Sequence, residues 1–133
     1  MDYKLYAVRI FTTDWDRSVA FYRDQVELEL KFADESMGWA EFDLGGPSLG
    51  IERVDGDDPE ARNMVGRFIG ISIAIPDMEQ TYATLKERGV EFLSAPEPQS
   101  WGGVLAHFKD PDENVLTLLG SADDPAADEQ NSD

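Results

Sequence analysis

The sequence predicts an α+β domain built from two successive strand–helix–strand–strand–strand modules. Three observations carry that expectation. Apolar and other residues alternate in short runs of strand length, which is the signature of a half-buried strand. Two aspartates, Asp14 and Asp77, stand at equivalent places, each after an alternating run and before a helical one, 63 positions apart. Between the two patterns lies a polar stretch, DGDDPEARNMVGR, after which the order restarts. A repeat of pattern at about half the folded length is the mark of internal duplication.

The first module runs from 3 to 53. Tyr3 to Phe11 alternates strictly, with Tyr6, Val8 and Ile10 on one face and Ala7, Arg9 and Phe11 on the other. The helix TTDWDRSVAFYRDQ follows, with Thr13 or Asp14 as its cap, because a short side-chain oxygen accepts the free amide hydrogens of the first turn. Trp15, Val19 and Phe21 or Tyr22 recur there at helical spacing. LELKFA, WAEFDL and SLGIERV read as three strands, separated by the turn formers DESMG and GGP. Residues 54–66 read as a mobile connector.

The second module spans 67–120. GISIAI places Ile71, Ile73 and Ile75 on one face and Gly70, Ser72 and Ala74 on the other. PDMEQTYATLKERG is a helix capped near Asp77 and stopped by Gly89. VEFLSA, GVLAHFKD and NVLTLLG supply the remaining strands, with DPDEN as a turn. Residues 121–133 hold five acids, no base and no large apolar residue, the composition of a disordered tail.

Composition narrows the function. At 133 residues, with 41% apolar content, the chain is one folded domain with a core. It has no cysteine, which removes disulfides, thiolate metal sites and cysteine nucleophiles. No apolar run approaches the ~20 residues of a membrane span, and the first residues lack the order of a signal peptide, so a cytoplasmic location is expected. A formal charge of −17 argues against nucleic acid and anionic membrane as partners. That charge either draws a cationic ligand or simply solvates the surface, as in proteins of high-salt organisms.

Three motifs then resemble a known family. They are DWDRSVAFY (14–22), IPDMEQTYATLKERGVEF (75–92) and WGGVLAHFKDPDEN (101–114), in that order. Together they resemble the vicinal oxygen chelate superfamily, which includes glyoxalases, bleomycin-resistance proteins and extradiol dioxygenases. One departure is Val26-Glu27-Leu28, which stands where the family usually has Leu-Gly-Leu. The resemblance implies a cup-shaped mixed β-sheet with helices on its outer face. It also implies frequent homodimers. Metal-using members hold a divalent ion with four inward His, Gln or Glu side chains. Carried over, those positions are Ala7, Gly50, Gly70 and Thr117, a set that offers no ordinary ligand beyond a weak hydroxyl. Glu52, two residues past Gly50, would need a register slip to serve, with His107 as a second donor.

No metal and no other cofactor is therefore expected. The candidate ligand-binding residues facing the cup are Arg9, Phe11, Glu52, Ser72, Trp101, Leu105, His107 and Thr117. Arg9 suits a carboxylate or phosphate, or else pairs with Glu52 or Glu41. Trp101, and also Trp39, suits a planar ligand or plain packing. His107, as an imidazole, suits acid/base work, or is a hydrogen-bonded structural histidine. The favoured reading is a metal-free small-molecule-binding protein of the bleomycin-resistance type. The alternatives are a divergent lyase, isomerase or dioxygenase, metal-dependent or using His107, and an interaction module whose cup is filled by its own side chains.

Overall fold

The computed structural model describes residues 1–121, so the expected tail lies outside the described residues except for Ser121. Among the described residues two compact units are present, residues 1–67 with 111–114, and residues 68–110 with 115–121. Unit 1 contains β1 (Ala7–Thr12), α1 (Trp15–Ala20) with a wider π-helical turn at Phe21–Gln25, β2 (Glu29–Asp34), β3 (Trp39–Asp43), β4 (Ser48–Arg53) and α2 (Pro59–Arg62). Unit 2 contains β5 (Phe68–Ala74), α3 (Met78–Glu87), β6 (Glu91–Phe92), β7 (Glu97–Pro98), β8 (Gly103–Lys109) and β9 (Val115–Ser121).

The two sheets share one connectivity. Unit 1 has strand order β1-β4-β3-β2, and unit 2 has β5-β9-β8-β6 with β7 also on β8. In each, the first strand runs parallel to the last and the other pairs are antiparallel. A parallel pair needs a long crossover, which the rest of each module supplies. The two aspartates do matching work. The Asp14 carboxylate accepts from the Arg17 amide at 3.3 Å, and the Asp77 carboxylate from the Gln80 amide at 3.0 Å.

One face of each sheet is apolar and packed. In unit 1, Ile10, Phe42, Leu49 and Ile51 are buried with Trp15, Val19 and Tyr22, and the Trp15 indole donates to the Ile51 carbonyl at 3.3 Å. In unit 2, Met78 and Leu85 of α3 are buried with Ala106, Phe108, Leu116 and Leu118. Phe92 packs between Tyr82 and Phe108, at 4.8 and 6.0 Å between ring centroids.

Four local expectations are revised. The first strand begins at Ala7, not Tyr3, because β4 offers Cα partners only from Ser48 onward. Tyr6 therefore escapes the alternation, as described below. The connector carries α2, capped by Asp58, whose carboxylate accepts from the Glu60 amide, and it buries Ala61. VEFLSA pairs only at Glu91 and Phe92, and the strand count of unit 2 rises by the two-residue β7. At the departure from Leu-Gly-Leu, Glu27 takes the left-handed φ of +62° that a glycine adopts without strain.

The β8–β9 turn is held within unit 1 by side chains. The Thr12 hydroxyl, the Thr13 amide and the Thr13 hydroxyl donate to Asp112. Fully buried Asn114 accepts from the Gly66 and Arg67 amides at 2.8 and 3.2 Å and donates to the Phe11 carbonyl at 3.1 Å. Asn114→Ala strands three backbone groups, each costing roughly 1–3 kcal/mol when unmet. It is expected to lower the unfolding free energy by about 3 kcal/mol, read from urea denaturation; a loss below about 1 kcal/mol would contradict this.

Candidate functional site

In unit 1 the face opposite the core is polar and aromatic. Cross-strand partners point the same way from a sheet, so the row Arg9–Gly50–Glu41 and the row Phe11–Glu52–Trp39 share that face. Arg9 Nη1 lies 3.0 Å from Glu52 Oε1, and its guanidinium sits 5.2 Å from the centre of the Phe11 ring. Of the two partners expected for Arg9, Glu52 is the one used. The pair is not buried, because the Arg9 side chain is 56% exposed. An open cavity of about 270 Å³ adjoins these residues, with Val54, Ala61 and Met64 as apolar walls and Asp55, Asp58 and Glu60 at its margin.

Gly50 has no side chain, and the indole of half-buried Trp39 lies in that space. A Cβ on Gly50 would stand 2.2 Å from Trp39 Cη2. The indole N–H donates to Glu41 Oε1 at 3.0 Å. Glu41 is 8% exposed and also accepts from the Tyr6 hydroxyl and from the Ser48 hydroxyl, the latter at 3.4 Å. Lys31 Nζ donates to Ser48 Oγ at 3.2 Å. The Tyr6 hydroxyl, then the Trp39 indole, hold the Glu41 carboxyl below its ordinary pKa despite desolvation, and the same carboxylate raises that of Tyr6.

In unit 2 the corresponding face carries Ser72, Thr117 and His107 in one cross-strand row. Thr117 is buried, Ser72 is exposed, and His107 Nδ1 stands 2.8 Å from Thr117 Oγ1. The Phe68 ring meets the imidazole edge-on at 5.7 Å. Leu105 is half-buried opposite Leu119. Trp101 is 65% exposed, and its ring lies over Gly103, where a Cβ would stand 2.1 Å from Trp101 Cζ3. A cavity of about 380 Å³ opens beside it, lined also by Ala74, Ile75 and Leu119. The sequence-derived residues thus form two groups, one on each unit. Arg9, Phe11 and Glu52 form the first, and Ser72, Trp101, Leu105, His107 and Thr117 the second.

The residues at the four positions that the resemblance assigns to metal ligands do not fit a metal ion. Ala7 and the two glycines lack donors. Trp39 covers Gly50, Gly70 takes a φ of +77° that side chains rarely adopt, and the Thr117 hydroxyl is engaged with His107. Among the described residues, no group of three or more His, Asp or Glu is placed to hold a metal.

Two glycine-seated tryptophans are not legible in the sequence as contacts, Ser48 carries no signal there, and alternation puts Tyr6 on the opposite face with Val8 and Ile10. The available signal was Glu41 itself, an acid whose alternation within WAEFD puts it beside Trp39 on the face away from the core.

This duplicated architecture, with a polar face on each sheet, defines a class. Residues 4–118 match the model of the Glyoxalase/Bleomycin resistance protein/Dioxygenase superfamily, and the chain belongs to that superfamily. It is 29% identical over 113 residues to a bleomycin resistance protein of Klebsiella pneumoniae, covering 80% of this chain and 83% of that one. A superfamily member from Sphaerobacter thermophilus DSM 20745 superposes with a TM-score of 0.74 at 26% identity, over 91% of this chain and 98% of the other. TnmS3, an antibiotic-binding protein from Streptomyces sp. CB03234, gives 0.69 at 26% identity, over 91% and 97%.

A depressed carboxyl pKa contributes stability that is present above its unfolded value and is lost as pH falls through the folded one. Glu41→Gln is therefore expected to be less stable than wild type near neutrality. The difference should shrink to nothing as pH falls below the ordinary carboxylate range. Urea midpoints measured across acid pH test this, and a difference that stays constant with pH would contradict it.

Proposed function

We propose that this chain binds a small organic molecule, without a metal ion, through the polar faces of its two sheets, and that the favoured ligand carries a planar aromatic ring and a positive charge. The seating of a tryptophan ring on a glycine in each unit carries this reading. Each ring occupies the space of a missing side chain; Trp101 lines a cavity, and Trp39 shares a cross-strand row with Phe11 and Glu52, which line the other. Apolar walls with a few placed polar groups are the usual composition of a ligand site. Glu52, Asp55, Asp58 and Glu60 around the first cavity, with a net charge of −17, favour a cation. The superfamily, with its bleomycin resistance and antibiotic-binding proteins, supports a small-molecule role in general.

A second reading has its own observation. His107 is oriented through Nδ1 by Thr117, which leaves its Nε2 for acid/base work on a bound molecule. It differs from the first by turnover.

Binding to the native state raises its stability with occupancy, by roughly 2.7 kcal/mol at a hundred times Kd. Thermal unfolding is to be followed with bleomycin, with small aromatic cations, and with neutral and anionic aromatic counterparts, all in chelator. The cationic aromatic compounds are expected to raise Tm most. No shift across the panel, or a shift that appears only when a divalent ion is added, would overturn the proposal. Consumption of a compound that is abolished in His107→Ala would favour the second reading.

A further inference from the structure

We propose that Glu41 is a positioning residue, holding the Trp39 indole flat across Gly50 so that the family's third metal-ligand position becomes a preformed aromatic platform. The platform's use for a planar ligand rests on the function proposed above; its positioning by Glu41 does not.

Glu41 is an expensive residue to keep where it stands. Glu41 is 8% exposed as a residue, and whatever hydration its carboxylate loses must be offset by hydrogen bonds or by a cation. Its three donors are all neutral, the hydroxyls of Tyr6 and Ser48 and the indole of Trp39. Lys31 hydrogen-bonds to Ser48, one group further out. Plain packing at this position would be served by an apolar side chain like that of Phe42, its buried neighbour. What the carboxylate adds is direction. Two of its donors belong to aromatic side chains on the non-core face, and the bond to the indole fixes the rotation of a ring that would otherwise turn about its side-chain bonds.

Gly50 supplies the other half of the device. Its missing side chain is the space the ring occupies, so the platform and a ligating side chain at 50 are mutually exclusive. Arg9 and Glu41 are the cross-strand neighbours of Gly50, one charge of each sign. Fixing a ring before the ligand arrives removes the entropy cost of ordering it on binding.

The test uses the full chain with ¹⁵N-labelled tryptophan, whose three indole N–H signals come from Trp15, Trp39 and Trp101. Loss of a signal in Trp39→Phe assigns its resonance. In Glu41→Leu the Trp39 signal is expected to move to the position of a solvated indole, and its hydrogen exchange to quicken at least about tenfold. Glu41→Gln, which keeps an acceptor oxygen, is expected to restore most of both properties, and it serves where Glu41→Leu does not fold. A Trp39 signal unmoved in Glu41→Leu, or moved as far in Glu41→Gln, overturns the positioning role.

Thioflavin T, a planar aromatic cation, is the binding probe. Its affinity is expected to fall about tenfold, near 1.4 kcal/mol, in Glu41→Leu. In a Trp39→Ala background the same change is expected to have no further effect. Equal losses with and without Trp39 would overturn the claim that Glu41 acts through the ring. Failure of wild type to bind the probe, with the indole result intact, would sink the ligand class and leave the positioning role standing.

Discussion

A side chain at position 50 and the indole of Trp39 cannot occupy the sheet together. That exclusion governs the polar face of unit 1. With Gly50 bare, the ring lies across the backbone, its N–H reaches the carboxylate two residues along β3, and that carboxylate draws in the Tyr6 and Ser48 hydroxyls. Arg9, facing no ligating group at 50, pairs with Glu52 instead and rests on Phe11. Unit 2 also seats a tryptophan on a glycine, but locally, as Trp101 lies over Gly103 two residues along its own chain rather than on a neighbouring strand.

Much of the fold was legible because its signals are local. Alternation depends only on the pleat, so Ala7–Thr12 and Phe68–Ala74 announced themselves, and the carboxylates of Asp14 and Asp77 cap helices by reaching amides three residues on. The motif order DWDRSVAFY, IPDMEQ and WGGVLAHFKDPDEN added the family and hence the sheet order. The errors fell where pairing, which is not local, sets the boundary. Tyr3 to Tyr6 has the pattern of a strand but meets β4 only through the Tyr6 carbonyl, and VEFLSA is longer than the stretch of β8 that pairs with it. The short helix Pro59–Arg62 hid in a segment whose polarity reads as loop, although Asp58-Pro59 is a helix start.

The candidate site was legible residue by residue but not as contacts. Alternation pairs Arg9 with Phe11 and Leu105 with His107 within their strands, and the family resemblance sets all the candidates facing one cup; the structure places Arg9, Phe11 and Glu52 on one sheet and Ser72, Leu105, His107 and Thr117 on the other. The sequence offered two acids for Arg9 without choosing, because the choice depends on register across β4, where Glu52 faces Phe11 and Glu41 faces Gly50. Nor did the pattern show that a tryptophan would lie on a glycine, since Trp101 and Gly103 are two residues apart and Trp39 and Gly50 belong to different strands. In the sequence Gly50 stands as a missing ligand. Physically it is also a space, and the space is filled.

The proposed absence of a metal is the point on which the account turns, since a bound ion would require Trp39 to leave Gly50 and donors to come from residues otherwise engaged. The direct measurement is the metal content of the full chain, purified without chelator and analysed by inductively coupled plasma mass spectrometry after equilibration with zinc, manganese, iron(II) and nickel in turn. Far less than one divalent ion per chain is expected in every case, with the assigned Trp39 indole N–H resonance unchanged by zinc. One tightly held ion per chain, displacing the Trp39 signal, would contradict this.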